Sequence, residues 1–64
     1  MRVFLQKERR TVEIHHTGSA GALLAQLGIN PEVVLVVADG ALVTLDDDIS
    51  AAHTVELLSV VSGG

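Results

Sequence analysis

Two stretches near the start of the chain show the two-residue alternation of apolar and polar positions that is typical of β-strands. The alternating apolar residues are Val3 and Leu5 in the first stretch and Val12 and Ile14 in the second. The charged segment 7–10 separates them and contains neither Gly nor Asn. We therefore predict an N-terminal hairpin whose strands are joined by a loose charged turn.

A short helix with one apolar face is predicted next. Ser19 can cap its N-terminus and Gly28 is placed to end it. Gly21 weakens this helix by roughly 1 kcal/mol relative to Ala, so packing on a sheet must supply most of its stability. The apolar residues at helical spacing are Ala20, Leu23, Leu24 and Leu27.

The second half of the chain predicts three more strands. The run 33–37 is too short for an independent helix and is typical of a strand covered on both faces. Asp39-Gly40 is the strongest turn signal, so 41–45 should return as the partner strand of a hairpin. The remaining predicted elements are an acidic connector at 46–48, a short turn at 49–53 and a last strand at 54–61.

This order of elements, strand, strand, helix and three strands, is the β-grasp plan, an α+β architecture. We expect a mixed sheet of four to five strands with one helix packed across one face. The last strand is expected beside the first, because both carry enough alternating apolar residues to be central. Residues 1–62 would form this domain, and residues 63–64 a flexible Gly-Gly tail.

Composition excludes several classes of chemistry. The chain has 64 residues and no cysteine, which removes disulfides, thiolate nucleophiles and persulfides on side chains. Its net charge of -4 argues against direct nucleic-acid binding, because phosphate contacts need clustered Lys and Arg. All four basic residues lie in the first ten positions, whereas six of the eight acids lie from Glu32 onward. Such a bipolar surface would orient a partner, although chance placement explains it equally well.

The expected compartment is the cytoplasm. No apolar run approaches the ~20 residues that a membrane helix requires, and the N-terminus shows no secretory signal pattern. We therefore expect no membrane partner.

The C-terminal Ser62-Gly63-Gly64 is the strongest candidate for chemistry. Glycines lack Cβ, so such a tail can thread a narrow enzyme channel and leave the terminal carbonyl open to attack. Flexible chain ends often contain glycine, so the dipeptide alone is weak support. Combined with a strand that runs directly into it and with the β-grasp order, it predicts a carrier whose working group is the Gly64 carboxylate.

The chain resembles the ubiquitin-like sulfur-carrier family over essentially its whole length. Within that family it is most similar to carriers for tRNA 2-thiolation, and less similar to thiamine-pathway and molybdopterin-pathway carriers. The stretches that carry the resemblance are Met1-Arg2-Val3-Phe4-Leu5, Leu27-Gly28-Ile29-Asn30-Pro31-Glu32 and Leu57-Leu58-Ser59-Val60-Val61-Ser62-Gly63-Gly64.

The resemblance implies a cycle that is run by partner enzymes. An E1-like enzyme would use ATP and Mg²⁺ to adenylate the Gly64 carboxylate. A cysteine desulfurase or another persulfide donor would convert the adenylate to a thiocarboxylate, and a tRNA thiolase would accept the sulfur. Gly63 and Ser62 would be recognised as part of the tail. The chain itself would bind no cofactor and would act as a cosubstrate, not an enzyme.

Other fates of the tail stay open. The chain could be a protein modifier that forms isopeptide bonds between Gly64 and target lysines, with a deconjugating protease to remove it. Lys7 is the only lysine and hence the one side chain available for self-conjugation. Sulfur could also be destined for thiamine thiazole or molybdopterin, and a plain structural module is the remaining alternative.

An apolar patch is predicted beside the tail. If Val55 points to the core, then Leu58 and Val60 face the other way on the open surface of the sheet, and Phe4 shares that face. With part of the strand at 34–36 they would form a docking surface for partners. A few scattered apolar surface residues are the alternative.

Histidines and acids suggest no metal site. His15 and His16 are adjacent, so in a strand they point to opposite faces, and His53 is far away in sequence. We expect all three to be solvated. The acidic connector 46–48 lacks the spacing of a calcium loop and is expected to be a solvated turn with a secondary role in docking.

Overall fold

A computed structural model of the chain describes residues 1–60. Five strands, one α-helix and two short 3-10 helices make up this part of the chain. The 3-10 helices are Gln6–Glu8 and Pro31–Val33. In chain order the other elements are β1 (Arg2–Leu5), β2 (Arg10–Glu13), α1 (Ala20–Leu27), β3 (Val34–Ala38), β4 (Ala41–Val43) and β5 (Thr54–Ser59).

The strands form one mixed sheet in the order β2-β1-β5-β3-β4. β1 and β5 run parallel, with Val3 opposite Val55 and Leu5 opposite Leu57, and the other neighbouring pairs are antiparallel. The predicted β-grasp fold is therefore confirmed, including the place of the last strand beside the first.

One hydrophobic core lies between α1 and one face of the sheet. Alternate residues of β1, β3 and β5 point into it, and helical spacing turns one face of α1 toward it. These side chains are at most 3% exposed, so the helix packs across the sheet as predicted. The buried apolar residues are Val3, Ala20, Leu23, Leu24, Val36, Ile49, Val55 and Leu57.

Both predicted helix caps are present. The Ser19 hydroxyl oxygen accepts a hydrogen bond from the Ala22 backbone N–H at 3.1 Å. Gly28 ends the helix in the left-handed conformation, with a φ of 71°, which glycine adopts without steric cost.

Gly21 is explained by a close approach of the chain. Its backbone N–H donates to the Leu45 carbonyl at 2.9 Å, and an added Cβ would lie 3.2 Å from that oxygen. Glycine lowers the helix propensity at this position, but it leaves room for the segment after β4 to pack against the start of α1.

The connection between β1 and β2 differs from the predicted loose turn. Residues Gln6–Glu8 form a 3-10 helix, and Arg9 then adopts a left-handed conformation with a φ of 51°. The connection is charged as predicted, but it is not loose, because the 3-10 helix and the hydrogen bond from the Arg9 backbone N–H to the Gln6 carbonyl at 3.2 Å order it. The Asp39-Gly40 turn is as predicted, with positive φ at both residues, as a two-residue hairpin turn requires.

Two strands differ from their predicted bounds. β3 begins at Val34, because Pro31–Val33 forms a 3-10 helix. β4 ends at Val43, because the Thr44 backbone N–H donates to the Asp47 carboxylate at 2.8 Å and the chain turns there. β5 covers Thr54–Ser59, and the predicted end of that strand at residue 61 lies outside the described residues, as does the predicted domain boundary at 62.

The prediction that the run 33–37 is covered on both faces was also wrong. Leu35 is 45% exposed, because α1 covers only one side of the sheet and no other described element covers the second. Nowhere in residues 1–60 is there a helix long and apolar enough to cross a membrane.

We expect Asp39 to make folding stability depend on pH under acidic conditions. Its carboxylate accepts hydrogen bonds from the backbone N–H groups of Thr54 at 2.9 Å and His53 at 3.0 Å. These bonds, the one from Thr54 first, hold the pKa of Asp39 below its ordinary value of 3.8. Because the folded-state pKa is lowered, the stabilisation is fully present above the ordinary pKa of 3.8. It is lost as the pH falls through the folded-state pKa.

Thermal unfolding of wild type and Asp39→Asn between about pH 7 and about pH 2 measures this contribution. Asparagine accepts hydrogen bonds and tolerates positive φ, so the variant keeps the turn and removes the titrating group. Wild type should have the higher unfolding midpoint at neutral pH. The difference between the two midpoints should narrow below pH 3.8. A difference that stays constant down to the lowest pH would contradict the assignment.

Candidate functional site at the tail exit

The chain leaves the sheet at a point held from two sides. The Ser59 backbone N–H donates to the Gln6 side-chain oxygen at 2.8 Å, and the Val60 N–H donates to the Val33 carbonyl at 2.9 Å. Ser59 and Val60 are called the tail root below. The predicted tail residues Ser62, Gly63 and Gly64 lie outside the described residues, and they begin two positions beyond this fixed root.

The outer face of the sheet, opposite α1, carries apolar side chains close to the tail root. Leu58 of β5 lies directly opposite Leu35 of β3. Leu35 is 45% and Val60 47% exposed, whereas Leu58 and Phe4 are half-buried. Phe4 is paired with Glu56, so it lies diagonally across from Leu58 and one row further from the tail. Phe4 and Leu58 therefore share one face, with Glu56 between Phe4 and β3, and Val60 is exposed just beyond the end of β5.

Leu42 was missed by the sequence reasoning. It is 66% exposed and lies opposite Val37 on the outer face, where it extends the apolar surface to the edge strand. The signal was available, because the two-residue turn at Asp39-Gly40 fixes the register of β3 and β4 and therefore the face on which Leu42 lies.

The basic loop, which we define as Lys7, Arg9 and Arg10, lies at the tail end of the molecule. Because β1 and β5 are parallel, the connection after β1 is next to the end of β5. All three side chains are exposed, and Arg10 lies 3.8 Å from Glu8 of the same connection.

The aspartates lie at the other end of the sheet. Asp39 contacts the start of β5. Asp47 and Asp48 contact the N-terminus of α1, where the Ala20 N–H donates to the Asp47 carbonyl at 2.9 Å. Acids at a helix N-terminus are electrostatically favourable. The fold thus separates the basic loop from these aspartates along the direction of β5, although Glu8 and Glu32 remain toward the tail end.

A groove of about 420 Å³ opens beside the tail root. It lies between the first 3-10 helix and the segment 28–30 that follows α1. Its apolar lining residues are Leu5, Ile29, Val33, Val34 and Leu57, and its polar ones include Lys7, Glu8, Asn30 and Ser59. This tail-side groove is on the opposite side of the tail root from the apolar outer face.

His16 corrects one prediction. It is 9% exposed, and its ring nitrogens lie 3.1 Å from the Gln26 side-chain oxygen and 3.1 Å from the Ser19 carbonyl oxygen. The segment before α1 folds against the helix, so His16 is a structural side chain and not a solvated one. His15 and His53 are exposed, as expected. Among residues 1–60, no three His, Asp or Glu side chains are grouped so that they could hold a metal ion.

Comparison with known proteins gives consistent results over almost the whole chain. Residues 2–64 match the ThiS family. The chain is 42% identical over 65 positions to the sulfur carrier protein TtuB of Thermus thermophilus, with all of both chains covered. It is 37% identical over 62 positions to an uncharacterized protein of Archaeoglobus fulgidus, covering 95% of this chain and 91% of the other.

Proposed function

The chain belongs to the ThiS family and is a sulfur carrier of that type, and we propose that it carries sulfur on the carboxylate of Gly64. The observation that supports this most directly is the fixed tail root at the end of a central strand. Four residues follow Val60 and span at most about 14 Å when extended. A rigid body with a short tail can present one carboxylate deep inside a partner enzyme while the body stays at its surface.

The proposed chemistry begins with activation. A carboxylate oxygen of Gly64 attacks the α-phosphorus of ATP in an E1-like enzyme, and pyrophosphate leaves. Mg²⁺ in that enzyme offsets the phosphate charge, and the acyl adenylate gives the carbonyl carbon a good leaving group.

Sulfur then replaces the adenylate. A persulfide on a cysteine desulfurase or another donor attacks the carbonyl carbon, and AMP leaves. A second thiol reduces the resulting S–S bond, which frees the thiocarboxylate and leaves a disulfide on the donor. The carrier has no cysteine anywhere in its sequence, so every thiol in this step comes from partners.

We further propose tRNA as the final acceptor, with the sulfur delivered for 2-thiouridine or 5-methyl-2-thiouridine. The support is the full-length similarity to TtuB, together with the resemblance of the stretches 27–32 and 57–64 to carriers for tRNA 2-thiolation. A separate thiolase would hold the RNA, which suits a carrier with a net charge of -4. The cycle takes place in the cytoplasm, where ATP and tRNA are available.

The apolar patch of Phe4, Leu58 and Val60 is proposed as the docking surface for these enzymes. The support is its position: Val60 is part of the tail root, Leu58 directly precedes the root, and Leu35 continues the patch on β3. Clusters of exposed apolar side chains of this kind are typical of protein contact surfaces.

Intact mass spectrometry tests the proposal. The protein is incubated with ATP, Mg²⁺, cysteine, a desulfurase and the E1-like enzyme of its own host. Exchange of one carboxylate oxygen for sulfur raises the mass by about 16 Da, and the matched variant that lacks only Gly64 should show no gain. No gain on wild type, from enzymes that are active on another carrier, would overturn the proposal.

The same adenylate could instead be transferred to lysines of other proteins. Incubation with host extract distinguishes this outcome, because conjugates would appear as higher-mass species that contain the Gly64 carbonyl in an isopeptide bond. Lys7, the only lysine, would be the acceptor in any self-conjugate formed through a side chain.

A further inference from the structure

Arg9 occupies a backbone conformation that suits another residue better. Its φ and ψ are 51° and 44°, in the left-handed region, and its backbone N–H donates to the Gln6 carbonyl at 3.2 Å. An arginine Cβ is crowded in this region, whereas glycine enters it freely. A side chain held where glycine would fit more easily indicates a role for that side chain beyond folding.

The charges of the basic loop are largely uncompensated. Arg10 is 3.8 Å from Glu8, and that pair is exposed. Lys7 and Arg9 have no acidic side chain within 4.0 Å among residues 1–60. Both lie on the connection whose Gln6 side chain holds the tail root, so any enzyme that receives the tail must approach them.

The groove beside Lys7 indicates what kind of surface approaches. Its lining includes the apolar side chains of Leu5, Ile29 and Leu57, with Lys7 and Glu8 at the same opening. Because Glu8 lies 3.8 Å from Arg10, the positive charge of Lys7 is the one left for a partner. A nucleic-acid backbone would contact the cations but has nothing to place against the apolar lining. A protein segment that combines carboxylates with an apolar side chain matches both features.

We infer that the basic loop and the tail-side groove form a second docking contact, which binds an acidic and apolar rim around the channel of the activating enzyme. The inference rests on the proposed function, because it assumes that the tail enters such an enzyme. Activation precedes every fate of the tail, so this enzyme is the partner that all of those fates share. The contact is separate from the apolar outer face, because it lies on the other side of the tail root.

Kinetics of activation test the role of Arg9 separately from its strain. We expect Arg9→Gly to keep or raise the thermal unfolding midpoint and to lower kcat/KM for pyrophosphate release by about fivefold, mainly through slower association. Arg9→Asn, which also tolerates positive φ, should behave alike. The matched control Arg9→Lys keeps the charge and should retain at least half of the wild-type value.

Salt gives an independent signature of the same contact. Raising the salt concentration should lower wild-type kcat/KM and should affect Arg9→Gly less, because one of the screened interactions is already gone. Equal rates and equal salt dependence for wild type and Arg9→Gly would overturn the inference. The proposed function would survive that result, since wild type would still be activated.

The single lysine permits a direct test of contact. A zero-length carbodiimide reagent joins an amine to a carboxylate only when the two are in contact, and Lys7 supplies the only side-chain amine of the carrier. We expect a crosslink from Lys7 to an Asp or Glu of the activating enzyme, located by peptide mass spectrometry. Lys7→Arg keeps the charge but has no primary amine, so it should remove that crosslink.

Two further outcomes, one from the crosslinking and one from sulfur transfer, would count against the contact. Absence of a Lys7 crosslink in a complex that still releases pyrophosphate would overturn it. Loss of sulfur transfer to RNA in Arg9→Gly, with activation unaffected, would instead assign the basic loop to phosphate contacts and would also overturn it. Failure of wild type to be activated at all is the separate result that removes the proposed function.

Discussion

Gly63→Val is expected to slow formation of the Gly64 adenylate by about 100-fold and to leave the thermal unfolding midpoint unchanged. A β-branched side chain widens the tail and restricts its backbone, so the carboxylate cannot reach the α-phosphorus in the reactive geometry. Small misplacements of a reacting group cost rate factors of this size. The measurement is pyrophosphate release by the E1-like enzyme at saturating ATP, with thermal unfolding measured in parallel.

Gly63→Ala is the graded control for this prediction. Its single methyl group should give a smaller loss than valine, because it adds less width and restricts the backbone less. Wild-type rates for Gly63→Val would mean that the activating site does not select for a narrow tail. Chemistry at Gly64 would then need support from the mass measurement alone.

Leu35→Asp is expected to lower kcat/KM for activation by about tenfold, with a smaller effect on kcat. Leu35 lies opposite Leu58 on the outer face and is 45% exposed. A carboxylate there would be desolvated when an apolar partner surface covers the patch. The free energy of that desolvation weakens association with the enzyme and therefore lowers kcat/KM. Pyrophosphate release as a function of carrier concentration measures it.

The chain offers a closely matched control. Leu45 is 41% exposed, and its carbonyl accepts from the backbone of Gly21 at the start of α1, away from the outer face. Leu45→Asp introduces the same charge and should leave kcat/KM within about twofold of wild type. Leu35→Thr, which places an uncharged residue of high strand propensity at this position, separates a docking defect from a folding defect. Equal losses in Leu35→Asp and Leu45→Asp would remove the outer face from the docking surface.

Local signals in the sequence predicted those elements that local chemistry controls. Ser19 and Gly28 set the bounds of α1, because a hydroxyl cap and a left-handed glycine satisfy backbone groups within one turn. Asp39-Gly40 predicted its turn for the same reason, since both residues accept positive φ. The two-residue and helical periods selected the core residues Val3, Leu23 and Val55 correctly.

Errors appeared where a side chain forms hydrogen bonds that the apolar pattern does not record. The β4 strand ends early because the Asp47 carboxylate binds the Thr44 N–H. His16 is buried because Gln26 and the Ser19 carbonyl contact its ring. These contacts join residues only three to ten positions apart, but they depend on the exact backbone geometry of each turn, which the apolar period does not encode.

By itself the sequence determined the order of elements, the caps, the alternation that builds the core and the Gly-Gly end that makes the chain a candidate carrier. These follow from backbone sterics, hydrogen bonding within a few residues and the burial of apolar faces. Only the tertiary structure decided that β1 and β5 run parallel, which brings Gln6 and the basic loop to the tail root. It also decided that Leu35 lies directly opposite Leu58 in the register of β3 and β5. The physical reason is that strand pairing joins residues far apart in sequence, and register and direction are settled only when the whole sheet packs against α1.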